Sequence, residues 1–188
     1  MKYSYVTLML LLLLGPNCYS QAKLEREHRI QKSQFPSINM DHLPMENTKN
    51  IRYYREIDTS KITYTLKFRK GKMHYHLDYN EKGTLQNTGF IVKEIDIPTD
   101  TYAQIRSVLN ANFEKIKIKY IQQRYLGSSE NVLKNTFQNL MLPSNTYKVM
   151  FRGKKVDQRE DYFAIFNAEG YLIKTTTALP ANYDRVLY

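Results

Sequence analysis

"DYNEKGTL" at residues 78–85 and "IFNAEGYL" at 165–172 are one turn written twice: an aromatic residue, Asn, two free positions, Gly, one free position and Leu. Asn bonds readily to nearby backbone, and Gly accepts a positive φ. The pattern therefore predicts a type I turn closed by a bulge, joining two antiparallel strands. Upstream, "YTLKFRKGK" at 64–72 answers "YKVMFRGKK" at 147–155. Both keep Tyr, an aliphatic third residue, Phe-Arg and a Gly-Lys turn. The copies stand 83 residues apart at Tyr64 and Tyr147, and 87 apart at Asn80 and Asn167. The second hairpin is thus the longer, around "VDQRE".

Around these motifs the apolar period is two. Ile62, Tyr64, Leu66 and Phe68 alternate with Lys61, Thr63, Thr65, Lys67 and Arg69, as in a half-buried strand. Met73, Tyr75, Leu77 and Tyr79 alternate with Lys72, His74, His76 and Asp78, with Lys70-Gly71 as the hairpin turn. "NIRYYREID" ahead of them and residues 85–97 behind complete four strands. After Pro98 the period turns helical through Tyr102, Ile105, Val108, Leu109 and Phe113, with Thr99 or Asp100 as cap. "KIKIKYIQQRY" returns to period two, with Ile116, Ile118 and Tyr120 opposite Lys115, Lys117 and Lys119. A helix over 128–141 follows, capped by Ser128 or Ser129, then strands "YKVMFR", "DYFAIF" and "YLIKTTTAL". At the other end, Pro36 can open a short helix through Ile38, Met40 and Leu43.

Each half thus reads as a helix and four strands. The expected fold is α+β: two α-β4 repeats forming one continuous antiparallel sheet of about eight strands, with helices on one face. The repeats would span 23–97 and 98–188, the second with an inserted helix at 128–141. The tandem "Y-x-[LV]-x-F-R … aromatic-N-x-x-G-x-L" units resemble the PepSY-like, β-lactamase-inhibitor-protein-like (BLIP-like) domains of exported bacterial proteins. That resemblance implies a concave open sheet face; in the inhibitor that names the fold, this face clamps a protein. The inserted helix departs from the pattern.

Residues 1–22 carry Lys2, an apolar run from Val6 to Leu14 and a Gly15-Pro16 break. The run is too short to cross a bilayer and reads as a cleaved secretory signal, giving an exported protein, periplasmic or secreted. Gly15 and Asn17 depart from a lipoprotein signal around Cys18. If that cysteine leaves with the signal, the mature chain holds no disulfide. The chain of 188 residues has net charge +10, 16 Tyr, 8 Phe and no Trp.

The sequence argues against catalysis. No serine sits in a nucleophile elbow, no carboxylate pair lies in an apolar setting, and the 7 Gly form no phosphate-cradling loop. No cofactor is expected. His74 and His76 share a strand face beside Asp78, a spacing that can ligate a metal, although a solvated polar face explains them too. Partner-binding candidates are the tyrosines out of phase with the apolar faces, Tyr54, Tyr125 and Tyr162. With them stand the cations Lys67, Arg69, Lys115, Lys117, Lys119, Lys148 and Arg152. A bulge would reverse the face of any of these. The expected function is a non-enzymatic module binding a protein or peptide on the open sheet. The alternative is a basic surface that binds an envelope polyanion or anionic lipid; the basic, Tyr-rich composition would also suit nucleic acid, which is not the expected partner of an exported chain.

Overall fold

The computed structural model describes residues 26–39, 43, 45–58, 61–127, 130–156 and 158–178. The signal reading, Cys18, Met40 and the Ser128/Ser129 cap lie outside them. Within them the chain forms a single sheet of nine antiparallel strands that follow the order of the sequence. They are β1 (Arg26–Ile30), β2 (Thr48–Asp58), β3 (Lys61–Lys70), β4 (Met73–Tyr79), β5 (Leu85–Val92), β6 (Lys115–Leu126), β7 (Thr146–Lys155), β8 (Gln158–Phe166) and β9 (Leu172–Thr177). Two α-helices interrupt them: α1 (Thr99–Asn112) between β5 and β6, and α2 (Glu130–Phe137) between β6 and β7.

This overturns the expected pair of α-β4 repeats. Both α-helices belong to the second half, and the first half opens with an extra strand, β1, and a short 3-10 turn at Lys32–Gln34. Residues 35–39 are irregular. The irregular segment covers the sheet instead. Phe35 packs edge-on against Tyr53, Tyr64 and Tyr79 at centroid distances of 5.1–5.8 Å.

The repeated turn itself is real in atomic detail. Asn80 N–H donates to Thr84 O and Gly83 N–H to Asn80 O; Asn167 N–H donates to Tyr171 O and Gly170 N–H to Asn167 O. Each Asn Oδ1 accepts the N–H four residues on, at 2.9 Å from Thr84 and 2.8 Å from Tyr171. Gly83 and Gly170 have φ of 75° and 88°. The register shifts at Asp78/Tyr79 and again at Ile165/Phe166. The Gly-Lys motif diverges, however. Gly71 takes φ 59° in the first tight turn, which runs one residue later than expected. Gly153 lies inside β7, where an added Cβ would sit 2.5 Å from Phe113 Cδ1. The second hairpin turns at Val156 instead, at φ 52°.

One face of the sheet holds the core. Leu66, Leu77, Phe90, Ile121, Val149, Phe151, Ala164 and Phe166 are buried there. Phe137 of α2 lies over Tyr75 and Phe68, at 5.1 and 6.3 Å between centroids. Phe113, which ends α1, meets Phe151 at 4.9 Å and Tyr162 at 4.8 Å. Helix α1 starts after Pro98 without a side-chain cap, so the Thr99/Asp100 capping expectation fails. Thr101 Oγ1 donates to Ala168 O at 3.0 Å and ties this helix to the second copy of the turn.

Candidate functional site

Among the described residues no helix packs on the opposite face of the sheet, and the register decides which side chains reach it. In β3 and β4 these are Thr65, Lys67 and Arg69, and His74, His76 and Asp78; Lys67 stands opposite His76, and Arg69 opposite His74. In β7 they are Lys148, Met150, Arg152 and Lys154. The period-two reading placed Lys67, Arg69, Lys148 and Arg152 on this side, and the structure brings them together there.

Strand β6 behaves differently. Ile118 faces Phe151 in β7 and Tyr120 faces Met150, so Lys119 is the extra residue of a bulge. Before it, Ile116 and Ile118 pack against the core while Lys115 and Lys117 point away. After it the parity reverses: Tyr120, Gln122 and Arg124 join the helix-free face, and Ile121, Gln123 and Tyr125 enter the core. Tyr125 is therefore not a surface candidate. It is buried, and its hydroxyl donates to Leu140 O at 2.7 Å, fastening the loop that follows α2. Burial pushes its phenol up to about 12.

Tyr162 also leaves the list. Both faces of "DYFAIF" are apolar, so alternation could not choose between them. Pairing of Phe151 with Tyr162 and Tyr147 with Phe166 puts Tyr162, Ala164 and Phe166 in the core. Phe163 and Ile165, half-buried, take the other side. Tyr54 does lie on the helix-free face but is fully buried, with Lys67 Nζ 4.4 Å above its ring. That contact is a cation–π pair.

The Lys115/Lys117/Lys119 comb splits by role. Lys115 and Lys117 are exposed, whereas Lys119 Nζ donates to Asp161 Oδ2 at 2.6 Å. Arg152 Nε donates to Asp161 Oδ1 at 2.9 Å. Burial alone would raise the Asp161 pKa, but the hydrogen bonds from Arg152 and Lys119 outweigh it and hold the carboxyl below its usual value. Asp161, invisible to the sequence reading, thus pins two of the candidate cations across β6, β7 and β8.

The centre of this face is polar yet dry. His76 is 3% exposed, Thr65 5% and Gln122 7%, so the expected solvated face around the histidines is wrong at its middle. The imidazole lies against Gly89 of β5, where an added Cβ would come 2.7 Å from His76 Cε1 and collide with Gln123 O. Glycine is therefore required for the ring to occupy that space. Across Gly89 stands Arg124. Asp78 Oδ1 accepts from Thr65 Oγ1 at 2.7 Å, and its Oδ2 lies 3.8 Å from Arg124 Nη2. Burial lowers the His76 pKa to about 3; Asp78 opposes this, while Arg124, Lys148 and Lys67 add to it. The ring is neutral at physiological pH. Neither of its nitrogens has a hydrogen-bond partner, nor does Arg124 Nε.

Among the described residues no group of three His, Cys, Asp or Glu side chains is arranged to hold a metal ion. No helix there is long and apolar enough to cross a membrane. A cavity among the described residues lies elsewhere, at the β1–β2 end of the sheet. It has a volume of about 630 Å³, is shallow, and is lined by Ile30, Lys32, Ile51 and Tyr53 among others.

No family model matches this chain, and no curated protein matches it. Among solved structures it is similar to the crystal structure of a DUF2874 family protein from Bacteroides ovatus ATCC 8483, with a TM-score of 0.47 and 12% identity, over 77% of this chain and 85% of that one.

Proposed function

We propose that this protein is an exported, non-enzymatic, PepSY-like binding module that docks an acidic segment of a partner protein across the helix-free face of its sheet. The observation that carries this reading is the composition of that face. Lys67, Arg69, Lys117, Arg124, Lys148 and Arg152 reach it, against the carboxylates Glu56, Asp78 and Asp161. Half-buried Tyr120, Met150, Phe163 and Ile165 lie among those cations. Lys148 Nζ sits 4.6 Å over the Phe163 ring. Apolar anchors inside a ring of like charge suit a partner with acidic residues around an apolar contact, because the charges steer encounter and the anchors hold it. With Tyr125 and Tyr162 in the core, charge is the larger part of this recognition.

The exposed lysines Lys115 and Lys117 also favour the second reading, a polyanion or anionic lipid surface, since a row of lysines binds such partners without further shape. One experiment separates the two. Proteins captured from an envelope extract by wild type and by Lys115→Glu/Lys117→Glu are identified, purified and titrated. A purified protein that binds wild type and loses at least tenfold in affinity to the double variant supports docking of an acidic partner. Equal binding by both, or binding of anionic vesicles or heparin tighter than of any captured protein, overturns it.

A further inference from the structure

Strand β2 is longer than the strand that covers its outer edge. The partners of β1 run only from Tyr53 to Ile57, whereas β2 begins at Thr48. Among the described residues, the edge at residues 48–52 therefore has no partner strand on that side. The cavity of about 630 Å³ opens in this notch: its walls are the end of β1, the 3-10 turn and residues 51–53 of β2. We propose that the notch takes an extended acidic peptide as an added strand, laid along β2 in line with β1. The proposal rests on the docking reading only for the partner protein that supplies this peptide.

Three observations converge. First, an open strand edge presents a row of backbone N–H and C=O groups, and another extended backbone matches their spacing. Second, the chemistry of the notch alternates as a strand does. Arg52 lies opposite Lys67 and Arg29 opposite Tyr54, so both arginines belong to the helix-free side. Ile30 lies opposite Tyr53, and Tyr53 opposite Leu66, so these belong to the core side. Successive side chains of an added strand point to opposite sides. A peptide that alternates acidic and apolar residues therefore offers one set to the arginines and the other to Ile30, Tyr53 and the neighbouring Ile51, which is 41% exposed. Third, the charge of the cavity has one sign. Arg29, Lys32 and Arg52 line it, and among the described residues no carboxylate does. Such a field steers an acidic segment towards the edge and repels a basic one.

The walls are held before any peptide arrives. Phe35 seats the Tyr53 ring at 5.1 Å between centroids. Gln34 Oε1 accepts the Gln31 N–H at 2.9 Å and braces the turn that follows Ile30. The volume falls within the range of about 300–1,000 Å³ usual for ligand sites. Binding involves no covalent step. A free phosphate or a lipid headgroup would satisfy the cations and leave the strand edge unmatched, whereas a peptide meets both.

The test uses the purified protein and a capped Val-Glu-Val-Glu-Val-Glu peptide, titrated while the backbone amides of residues 51–53 are followed by NMR. A saturable shift of these amides, with slowed hydrogen exchange, is expected. Arg52→Glu and Lys32→Glu should each weaken binding by about tenfold or more. Lys174→Glu, the same charge reversal on β9 at the far edge of the sheet, should leave it unchanged. The same peptide N-methylated at two adjacent central residues, one of which must face the ladder, should not bind. Equal binding of the N-methylated peptide overturns strand addition, as does a linear, non-saturating drift. Inorganic phosphate or phosphatidylglycerol vesicles that saturate these amides as tightly as the peptide overturn it too. The Lys115→Glu/Lys117→Glu experiment is independent: loss of partner there with no saturable shift at residues 51–53 here leaves docking intact and removes the added strand alone.

Discussion

Acidification should destabilise this fold through one buried imidazole. His76 is neutral in the folded state, its pKa lowered from 6.5 to about 3, first by burial and then by Arg124, Lys148 and Lys67, against the opposing pull of Asp78. In the unfolded chain it regains an ordinary value near 6.5. Between those values the unfolded chain binds a proton that the folded protein refuses, so stability falls as pH falls. The contribution is fully present above about pH 6.5 and declines until about pH 3. At about pH 4.5 the linkage relation gives a loss of about 3 kcal/mol relative to about pH 7.5, a large share of a domain's total of about 5–15 kcal/mol. Asp78 and Asp161 both have their pKa values lowered, against burial, by the charges and hydrogen bonds around them. His74 is lowered as well, by burial and then Arg69, and acts in the same direction. Comparison with His76→Gln, which keeps His74, isolates the single group. Urea unfolding in a phosphate-free buffer, followed at several pH values from about 7.5 to about 4.5, should show the wild type losing about 3 kcal/mol more than the variant. Parallel curves that stay within about 0.5 kcal/mol of each other would refute the burial argument for His76.

Three further outcomes test the fold. Val156 is 76% exposed and holds φ at 52°, a left-handed conformation that costs a β-branched residue about 1–2 kcal/mol; Val156→Gly should raise the urea midpoint by about 1 kcal/mol equivalent without changing the slope. Gly153→Ala places a methyl against Phe113, so thermal unfolding should register a loss of about 1–3 kcal/mol from overpacking where α1 ends. Asn167→Ala removes one side-chain hydrogen bond of the repeated turn and Asn80→Ala removes two, from Lys82 N–H and Thr84 N–H; chemical denaturation should show a loss of about 1 kcal/mol for Asn167→Ala and a larger one for Asn80→Ala.

Where one face was apolar and the other polar, the sequence could be read residue by residue. Strands β3 and β4 follow their alternation, and the repeated Asn-x-x-Gly turn carries its geometry in its own side chains. The errors have identifiable causes. Strand β1, "REHRI", is a short charged edge strand, and such edges carry little apolar pattern to read. The bulge at Lys119 reverses parity in a strand whose letters keep alternating, which moved Tyr120 outward and Tyr125 inward. In β8, residues on both faces are apolar, and only pairing with β7 decided for Tyr162. Asp161 and Arg124 escaped notice because a lone charge in a strand acquires meaning only from its cross-strand neighbours. The histidine pair was visible, but its burial depends on Gly89, a residue in another strand.

Because every strand bonds only to its predecessor and successor in the chain, the ladder can close hairpin by hairpin from any starting point. For a protein so rich in β-structure this is a low contact order, and folding should be fast for its class. The same connectivity makes unravelling progressive: detaching β9 forfeits its ladder with β8 alone, and detaching β1 its ladder with β2 alone. Amide exchange should therefore grade from the two flanks towards β4–β6, leaving His76, Gly89 and Arg124 in the last part of the sheet to open.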